Sequence, residues 1–274
     1  MLKILLVLTL LFTPKLWAEE LVLGGVSLNG HFIQGGLVIG RGLPGTEVSL
    51  DEQKVRVSEQ GLFSLGFDRD APATMQLSLA LPDGSTLAHR LDIARRDYNI
   101  QRIEGIAKKI MSPSEQDLKR IRAEAAQVRA ARAAIQQRED FAGQFVWPLT
   151  GPITGVFGSQ RVYNGQPKRP HYGVDVAAPT GTPLSTPASG IVTLAHDDMF
   201  YSGGTLIIDH GYGVSSTLMH LSKVLVKVGD VVQPGDIVAE VGASGRATGP
   251  HLDWRMNWYQ SRIDPQLLVE AMPK

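Results

Sequence analysis

The chain has 274 residues, 43% of them apolar, and its 27 basic and 27 acidic side chains give a formal net charge of zero. This length is sufficient for two modest hydrophobic cores or one large one, and the balanced charge removes the electrostatic argument for a nucleic-acid or anionic-membrane partner. The sequence contains no cysteine, which excludes disulfides and thiolate zinc sites, so any metal must be held by His, Asp and Glu.

Residues 1–18 have the pattern of an export signal. Lys3 precedes an apolar run from Ile4 to Phe12, and Ala18 supplies a small residue at a suitable cleavage point. The run is too short to span a bilayer comfortably, and its alternative interpretation is a buried strand or helix. We therefore expect an exported protein with no stable membrane insertion after signal removal, located in the periplasm or else secreted or associated with the cell wall.

Residues 19–100 are predicted to form a small β-sandwich. Short apolar or alternating runs are separated by turns rich in glycine and proline, as is typical of such folds. The predicted strands cover residues 46–50, 55–57, 62–67, 75–81 and 87–93. His31 and His89 are isolated, and a lone histidine on a strand is more often a packing or surface residue than a ligand. This domain is expected to bind a partner, to act as a spacer or to cover another part of the chain.

Residues 101–143 are predicted to be a helical linker. The segment Ser112-Pro113-Ser114-Glu115 has the form of a capping box with an early proline, and alanine-rich sequence continues to about Arg138. A helix of this size would be about 37 Å long, enough to hold two domains apart or to lie along one of them. The helix is basic, so it could contact an anionic polymer, although a solvated face is the more common case.

Residues 144–274 are predicted to form an all-β domain. Glycine- and proline-rich turns separate its apolar runs. The predicted strands cover residues 153–157, 190–195, 205–209, 215–219, 224–226, 237–241 and 252–256. The whole chain is therefore expected to be mainly β, with one connecting helix.

Three histidines and two carboxylates in this domain have the composition of a hydrolytic zinc site; they are His171, Asp175, His220, His251 and Asp253. His251, Asp253 and Arg255 alternate with apolar residues and so are expected to share one face of a strand. Three protein ligands with an open fourth position are what a catalytic zinc requires. Because the sequence has no H-E-x-x-H helix, a histidine must act as the base.

Several motifs occur in order between Gly155 and Pro265: His171-x-Gly173-x-Asp175, Ala178-Pro179-Thr180-Gly181, Met219-His220-Leu221-Ser222, Lys227-Val228-Gly229-Asp230 and Thr248-Gly249-Pro250-His251. In these motifs the chain resembles the lysostaphin-type, LytM-like metallopeptidases that cut peptide cross-links in bacterial cell walls. The resemblance implies a LytM-like peptidase domain at 144–274, peptidoglycan as substrate and one Zn²⁺ per chain. It also implies zinc ligands at His171, Asp175 and position 253, with His220 and His251 as the catalytic pair.

One departure from the family pattern bears on activity. The family has H-x-H at the last ligand, commonly followed by an acidic residue two positions on, whereas this chain has His251-Leu252-Asp253-Trp254-Arg255. We hypothesise that Arg255 pairs with Asp253. If Asp253 still binds zinc, Arg255 orients it and the chain is a peptidoglycan endopeptidase. If the ion pair replaces the metal contact, the chain is an inactive LytM-like protein that binds the wall or activates a partner hydrolase.

Overall fold

The computed structural model describes residues 19–103, 114–133, 135–163 and 165–273. The predicted export signal at 1–18 and the Ser112-Pro113 part of the predicted capping box lie outside these residues. Within them, one α-helix, α1 (Glu115–Ala133), connects an N-terminal β region to a C-terminal β domain, which confirms the predicted fold class. No helix in the described ranges is long and apolar enough to cross a membrane.

The N-terminal region contains the strands β1 (Glu19–Leu23), β2 (Val26–Gly30), β3 (Leu37–Arg41), β4 (Glu47–Leu50), β5 (Gln53–Val55), β6 (Leu62–Gly66), β7 (Thr74–Ala80) and β8 (Thr86–Asp92). They form two four-stranded antiparallel sheets, with strand orders β1-β2-β3-β6 and β5-β4-β7-β8. On β7, Leu77 and Leu79 are buried while Gln76 is exposed, so the strand has one core face and one solvent face. The first three strands were not among those predicted.

The C-terminal domain contains the strands β9 (Ile100–Ile103), β10 (Ile153–Gly155), β11 (Gln160–Tyr163), β12 (Gln166–Pro167), β13 (Val174–Ala177), β14 (Pro183–Ser185), β15 (Gly190–Met199), β16 (Gly203–Gly211), β17 (Val214–Leu221), β18 (Lys223–Val224), β19 (Val231–Val232), β20 (Ile237–Glu240), β21 (His251–Trp258) and β22 (Ser261–Ile263). Its main sheet has eight strands in the order β10-β13-β21-β17-β16-β15-β19, with β22 paired to β21. Two smaller sheets have the orders β14-β20-β18 and β12-β11-β9, and in the latter β9 pairs in parallel with β11.

Helix α1 begins within a few residues of the predicted start, with a capping box two residues later than the predicted one. Its first turn has a capping box centred on Ser114: the Ser114 hydroxyl accepts from the Asp117 N–H at 3.2 Å, and the Asp117 carboxylate accepts from the Ser114 N–H at 3.1 Å. The helix ends at Ala133, earlier than predicted. Ala131 packs with Leu194 and Ile207 in a small buried cluster, so α1 lies along the large sheet of the C-terminal domain.

A single large hydrophobic cluster includes side chains from both β regions. Phe63 and Leu65 on β6 belong to it, as do Trp254 and Met256 on β21, and all four are fully buried. The structure therefore has one large core where the composition left open one or two. This core packs against one face of β21 and leaves its other face for polar side chains.

Candidate metal centre

Two aspartates meet on adjacent strands of the large sheet. Asp175 on β13 and Asp253 on β21 are directly opposite each other in the antiparallel ladder, and opposite residues project to the same face. Leu252 and Trp254, the neighbours of Asp253, are fully buried on the other face. The alternation read from the sequence is thus present in the strand, and it places both carboxylates side by side.

His171 lies between these two carboxylates. Its Nε2 is 3.2 Å from Asp175 Oδ1, and its Nδ1 is 4.0 Å from Asp253 Oδ2. Among the described residues, His171 Nε2 and Asp175 Oδ1 are buried without any hydrogen-bond partner. Unpartnered buried polar atoms are destabilising, and a cation between them would satisfy both. Imidazole nitrogen and carboxylate oxygen are zinc donors, and one such atom from each of the three residues lies within 4.8 Å of the others, so the residues present fit a zinc ion.

Two glycines make the room that the carboxylates occupy. A Cβ atom added to Gly173 would lie 2.5 Å from Asp253 Oδ1 and 2.5 Å from the Trp254 carbonyl oxygen. A Cβ atom added to Gly155, on β10, would lie 2.2 Å from Asp175 Oδ2. The part played by Gly155 was not predicted, because only the pairing of β10 with β13 brings it to Asp175.

Arg255 holds the Asp253 carboxylate in a two-pronged contact. Arg255 Nη2 donates to Asp253 Oδ2 at 2.6 Å, and Arg255 Nε donates to Oδ1 at 2.9 Å. The Asp253 side chain is only 4% exposed. Burial alone would raise the pKa of Asp253, but the adjacent guanidinium outweighs burial and leaves the pKa below its usual value. Asp253 is therefore an anion, as a metal ligand must be.

His251 stands beside the three potential ligands. Its Nε2 is 3.8 Å from Asp175 Oδ1, and its Nδ1 is 2.8 Å from the Gly249 carbonyl oxygen. A carbonyl can only accept, so Nδ1 carries the proton and Nε2 of the neutral ring presents a lone pair. Because Nε2 has no hydrogen bond among the described residues, it is available to accept a proton from water.

A β-bulge on β17 positions His220. Leu218 pairs with Leu206, but Leu221 pairs with Gly204, so the two residues between Leu218 and Leu221 oppose a single residue of β16. The backbone of His220 has a φ of 64°, in the left-handed region that residues other than glycine rarely adopt. Regular alternation would direct its side chain to the face opposite Asp253. The bulge instead turns the ring towards His251.

The His220 and His251 rings have their centroids 4.9 Å apart. His220 Nδ1 is 2.9 Å from the Ser244 carbonyl oxygen, which fixes the proton on Nδ1 of the neutral ring. Burial lowers the pKa of His220 below its usual value. Donation from Nε2 to an oxyanion therefore requires the doubly protonated ring.

Comparison with known proteins assigns this domain to a family. A family model described as "Peptidase family M23" matches residues 169–265. Residues 169–265 form a peptidase family M23 domain. This match confirms the resemblance drawn from the sequence motifs. An M23 peptidase structure from Pseudomonas aeruginosa is similar over 86% of this chain and 94% of its own, with a TM-score of 0.68 and 29% identity.

Two curated relatives match the M23 domain over shorter stretches. Peptidoglycan DD-endopeptidase ShyA of Vibrio cholerae is 40% identical over 87 residues, which is 32% of this chain and 20% of ShyA. An uncharacterized metalloprotease of Haemophilus influenzae is 37% identical over 135 residues, which is 49% of this chain and 26% of that protein. The chain thus spans about a fifth to a quarter of the length of these relatives.

The two other histidines of the M23 domain, His196 and His210, lie in different surroundings. His210 is fully buried, with Nδ1 2.6 Å from the Ser189 carbonyl oxygen and Nε2 bonded to the Ser216 hydroxyl. His196 Nδ1 accepts from the Asp198 N–H at 3.1 Å. Neither shares a contact with the candidate metal centre among the described residues.

Proposed function

We propose that this chain is an exported zinc metalloendopeptidase that hydrolyses peptide bonds in the stem peptides or cross-bridges of bacterial peptidoglycan. The observation that carries the proposal is the pair of buried, unpartnered atoms His171 Nε2 and Asp175 Oδ1, with Asp253 beside them. These three residues would hold one zinc ion per chain. Support for the substrate comes from the M23 domain at residues 169–265 and the name of ShyA, and support for the metal comes from the name of the H. influenzae metalloprotease.

Arg255 offsets the extra negative charge that Asp253 brings. Two carboxylates neutralise a divalent cation, whereas a site with one carboxylate and two imidazoles stays positive. The guanidinium bonded to Asp253 restores that positive charge within the same hydrogen-bonded unit. Arg255 is thus expected to orient the ligand and to limit the loss of Lewis acidity.

When bound, zinc polarises the scissile carbonyl and makes water more acidic. His251 accepts a proton from the attacking water at Nε2, while the Gly249 carbonyl oxygen holds the ring in place through Nδ1. His220 stabilises the developing oxyanion by donating from Nε2. Because Nδ1 is already committed to Ser244, this donation needs a second proton on the ring; the lowered pKa of His220 opposes that proton, and the negative charge of the oxyanion favours it.

The second candidate is a catalytically inactive LytM-like protein that binds the cell wall or activates another wall hydrolase. It is favoured by one observation, the occupation of both Asp253 oxygens by Arg255. Under this alternative the guanidinium is the permanent partner of Asp253 and no metal is taken up. Metal content therefore separates the two candidates.

The deciding experiment is elemental analysis of the purified chain by mass spectrometry after dialysis at neutral pH. The wild type should retain one zinc per chain, and Asp253→Ala should lose it. Asp197→Ala, which changes an exposed aspartate of the same domain, should retain zinc and serves as the matched control. A wild type that stays metal-free after incubation with excess zinc would support the inactive alternative.

His251→Ala tests the proposed base. Because His251 is not among the ligands, the variant should keep its zinc but lose about 10²- to 10⁴-fold in rate, the usual contribution of a general base. The assay is the release of soluble fragments from purified peptidoglycan. Turnover equal to that of the wild type would refute the role of His251, and zinc loss in the variant would instead make it a ligand.

A further inference from the structure

Helix α1 brings a guanidinium onto the sheet face that carries the metal centre. Thr217 on β17 pairs with Ile207 on one side and with Arg255 on the other, so these three side chains share a face. Ala131 of α1 packs on Ile207, and Arg132 Nη2 donates to Thr217 Oγ1 at 2.9 Å. Arg132 therefore lies beside Arg255, although the two are far apart in sequence.

A third guanidinium arrives from β22. Arg262 Nη1 donates to Asn257 Oδ1 at 3.0 Å, and Asn257 lies two residues after Arg255 on the same face of β21. The Arg262 guanidinium lies 5.4 Å from the centre of the Tyr172 ring, next to His171 in the chain. Arginines from a helix and two strands thus surround one end of the metal centre.

The positive charge of this cluster is only partly compensated. Arg255 is paired with Asp253, but within the described ranges neither Arg132 nor Arg262 has a carboxylate oxygen within salt-bridge distance of its side chain. Arg132 Nε is buried with no partner in the same part of the chain. Burial, and then the charges of Arg262 and Arg255, lower the pKa of Arg132 to about 9, so it remains a cation at neutral pH. A buried N–H without an acceptor beside uncompensated positive charge favours an anionic ligand.

We propose that Arg132, Arg255 and Arg262 form an anion subsite that binds a carboxylate of the peptide substrate. The proposal rests on the proposed peptidase function and adds a determinant of substrate choice. Positions 253 and 255 are about 6.6 Å apart along a strand, which places the bound carboxylate within about two residues of the bond to be cut. Helix α1 is then a wall of the substrate groove.

The test compares two peptides that differ in a single charge, diacetyl-L-Lys-D-Ala-D-Ala and its C-terminal amide. Binding to the full chain is measured by titration calorimetry after removal of metal with a chelator, so that no turnover occurs. The wild type should bind the acid about tenfold more tightly than the amide, the usual effect of a charge-assisted hydrogen bond. Arg132→Ala should abolish this preference by weakening only the acid, and Arg132→Lys should retain part of it.

Arg120→Ala is the matched control, because Arg120 is on the same helix and binds Asp198 and Glu124 at the surface. It should keep the preference for the acid. Equal binding of acid and amide by the wild type would overturn the subsite, and so would equal loss of both peptides in Arg132→Ala, which would indicate that Arg132 only docks the helix. A preference for the acid in a protein that cuts no peptide when loaded with zinc would sustain the subsite and defeat the peptidase proposal. Cleavage without that preference would do the reverse.

Discussion

The positions of the two aspartates in the candidate metal centre depend on two glycines. Gly173 and Gly155 each lie where a methyl group would collide with one of the aspartates. At Gly173 the Asp253 carboxylate and the Trp254 carbonyl oxygen fill the space beside the Cα atom.

Gly173→Ala is therefore expected to disturb the centre even though it adds a single carbon. The displaced Asp253 should bind zinc less tightly, and the overpacking should lower the free energy of unfolding by about 1–3 kcal/mol. Gly249→Ala is the control, because a Cβ atom there meets open space. Zinc affinity and urea unfolding measure both effects. Equal zinc affinity of Gly173→Ala and the wild type would show that the neighbours relax without moving Asp253.

The burial of His210, away from the candidate metal centre, predicts that the stability of the fold changes with pH. Burial lowers its pKa to about 4, below the ordinary value of 6.5. Between pH 6.5 and about pH 4, His210 is protonated in the unfolded chain but stays neutral in the folded chain. The free energy of unfolding therefore has its full value above pH 6.5 and falls progressively as the pH is lowered to about 4. The expected loss between pH 7 and pH 5 is about 2 kcal/mol.

Urea unfolding of the wild type and of His210→Gln at both pH values isolates this contribution. The variant is expected to be less stable at pH 7, because the Ser189 and Ser216 contacts change, but to lose about 2 kcal/mol less on acidification. An identical loss in both proteins would assign the pH dependence to other groups.

Sequence alone identifies the polar face of β21 but not the conformation of His220. His251, Asp253 and Arg255 alternate with buried residues, so their common face follows from a local pattern. His220 depends on a bulge that is defined by the pairing of β16 with β17. Arg132 depends on the docking of a helix onto a distant sheet. Such non-local contacts leave no periodic signal in the chain.

At the scale of elements, α1 is more than a spacer. Ala131 is buried and Val128 packs against the same cluster, whereas Leu118, near the start of the helix, is 36% exposed. The helix is alanine-rich and short, so its stability depends largely on this docking. A small residue at position 131 allows the backbone of α1 to approach β15 and β16 closely.

Ala131→Glu should release the helix, because it places a charge against Leu194, Met199 and Ile207. Amide hydrogens of residues 115–133 should then exchange much faster, while those of the large sheet stay protected. Ala126→Glu makes the same change at an exposed position of α1 and should leave exchange unaltered. Protection of α1 in Ala131→Glu equal to that in the wild type would mean that other contacts hold the helix.

At the scale of the whole molecule, the two β regions are joined by polar contacts as well as by the shared core. Arg96 Nη1 donates to Asp264 Oδ2 at 2.8 Å, and the Asp264 N–H donates to the Gly35 carbonyl oxygen at 2.8 Å. Arg69 donates to the Gly158 carbonyl oxygen through Nε and Nη2. These contacts were not predicted, since the sequence suggested separate domains with a helical linker, and domain bounds at 100 and 143 remain predictions.

A joined core predicts that the chain unfolds in one cooperative step. The tryptophans of the described ranges lie in the C-terminal part, so their fluorescence reports that part, while far-ultraviolet circular dichroism reports both. The two signals should change at the same urea concentration.

Arg96→Ala should lower the free energy of unfolding by about 2–3 kcal/mol and move both transitions to the same lower urea concentration. The reason is that Asp264 is only 1% exposed and would be left without its cation. Arg90→Ala, which breaks an exposed pair with Asp92, should change the free energy of unfolding by less than about 1 kcal/mol. Separate transitions in the wild type, or a shift in only one signal for Arg96→Ala, would show that the two β regions unfold independently despite their contacts.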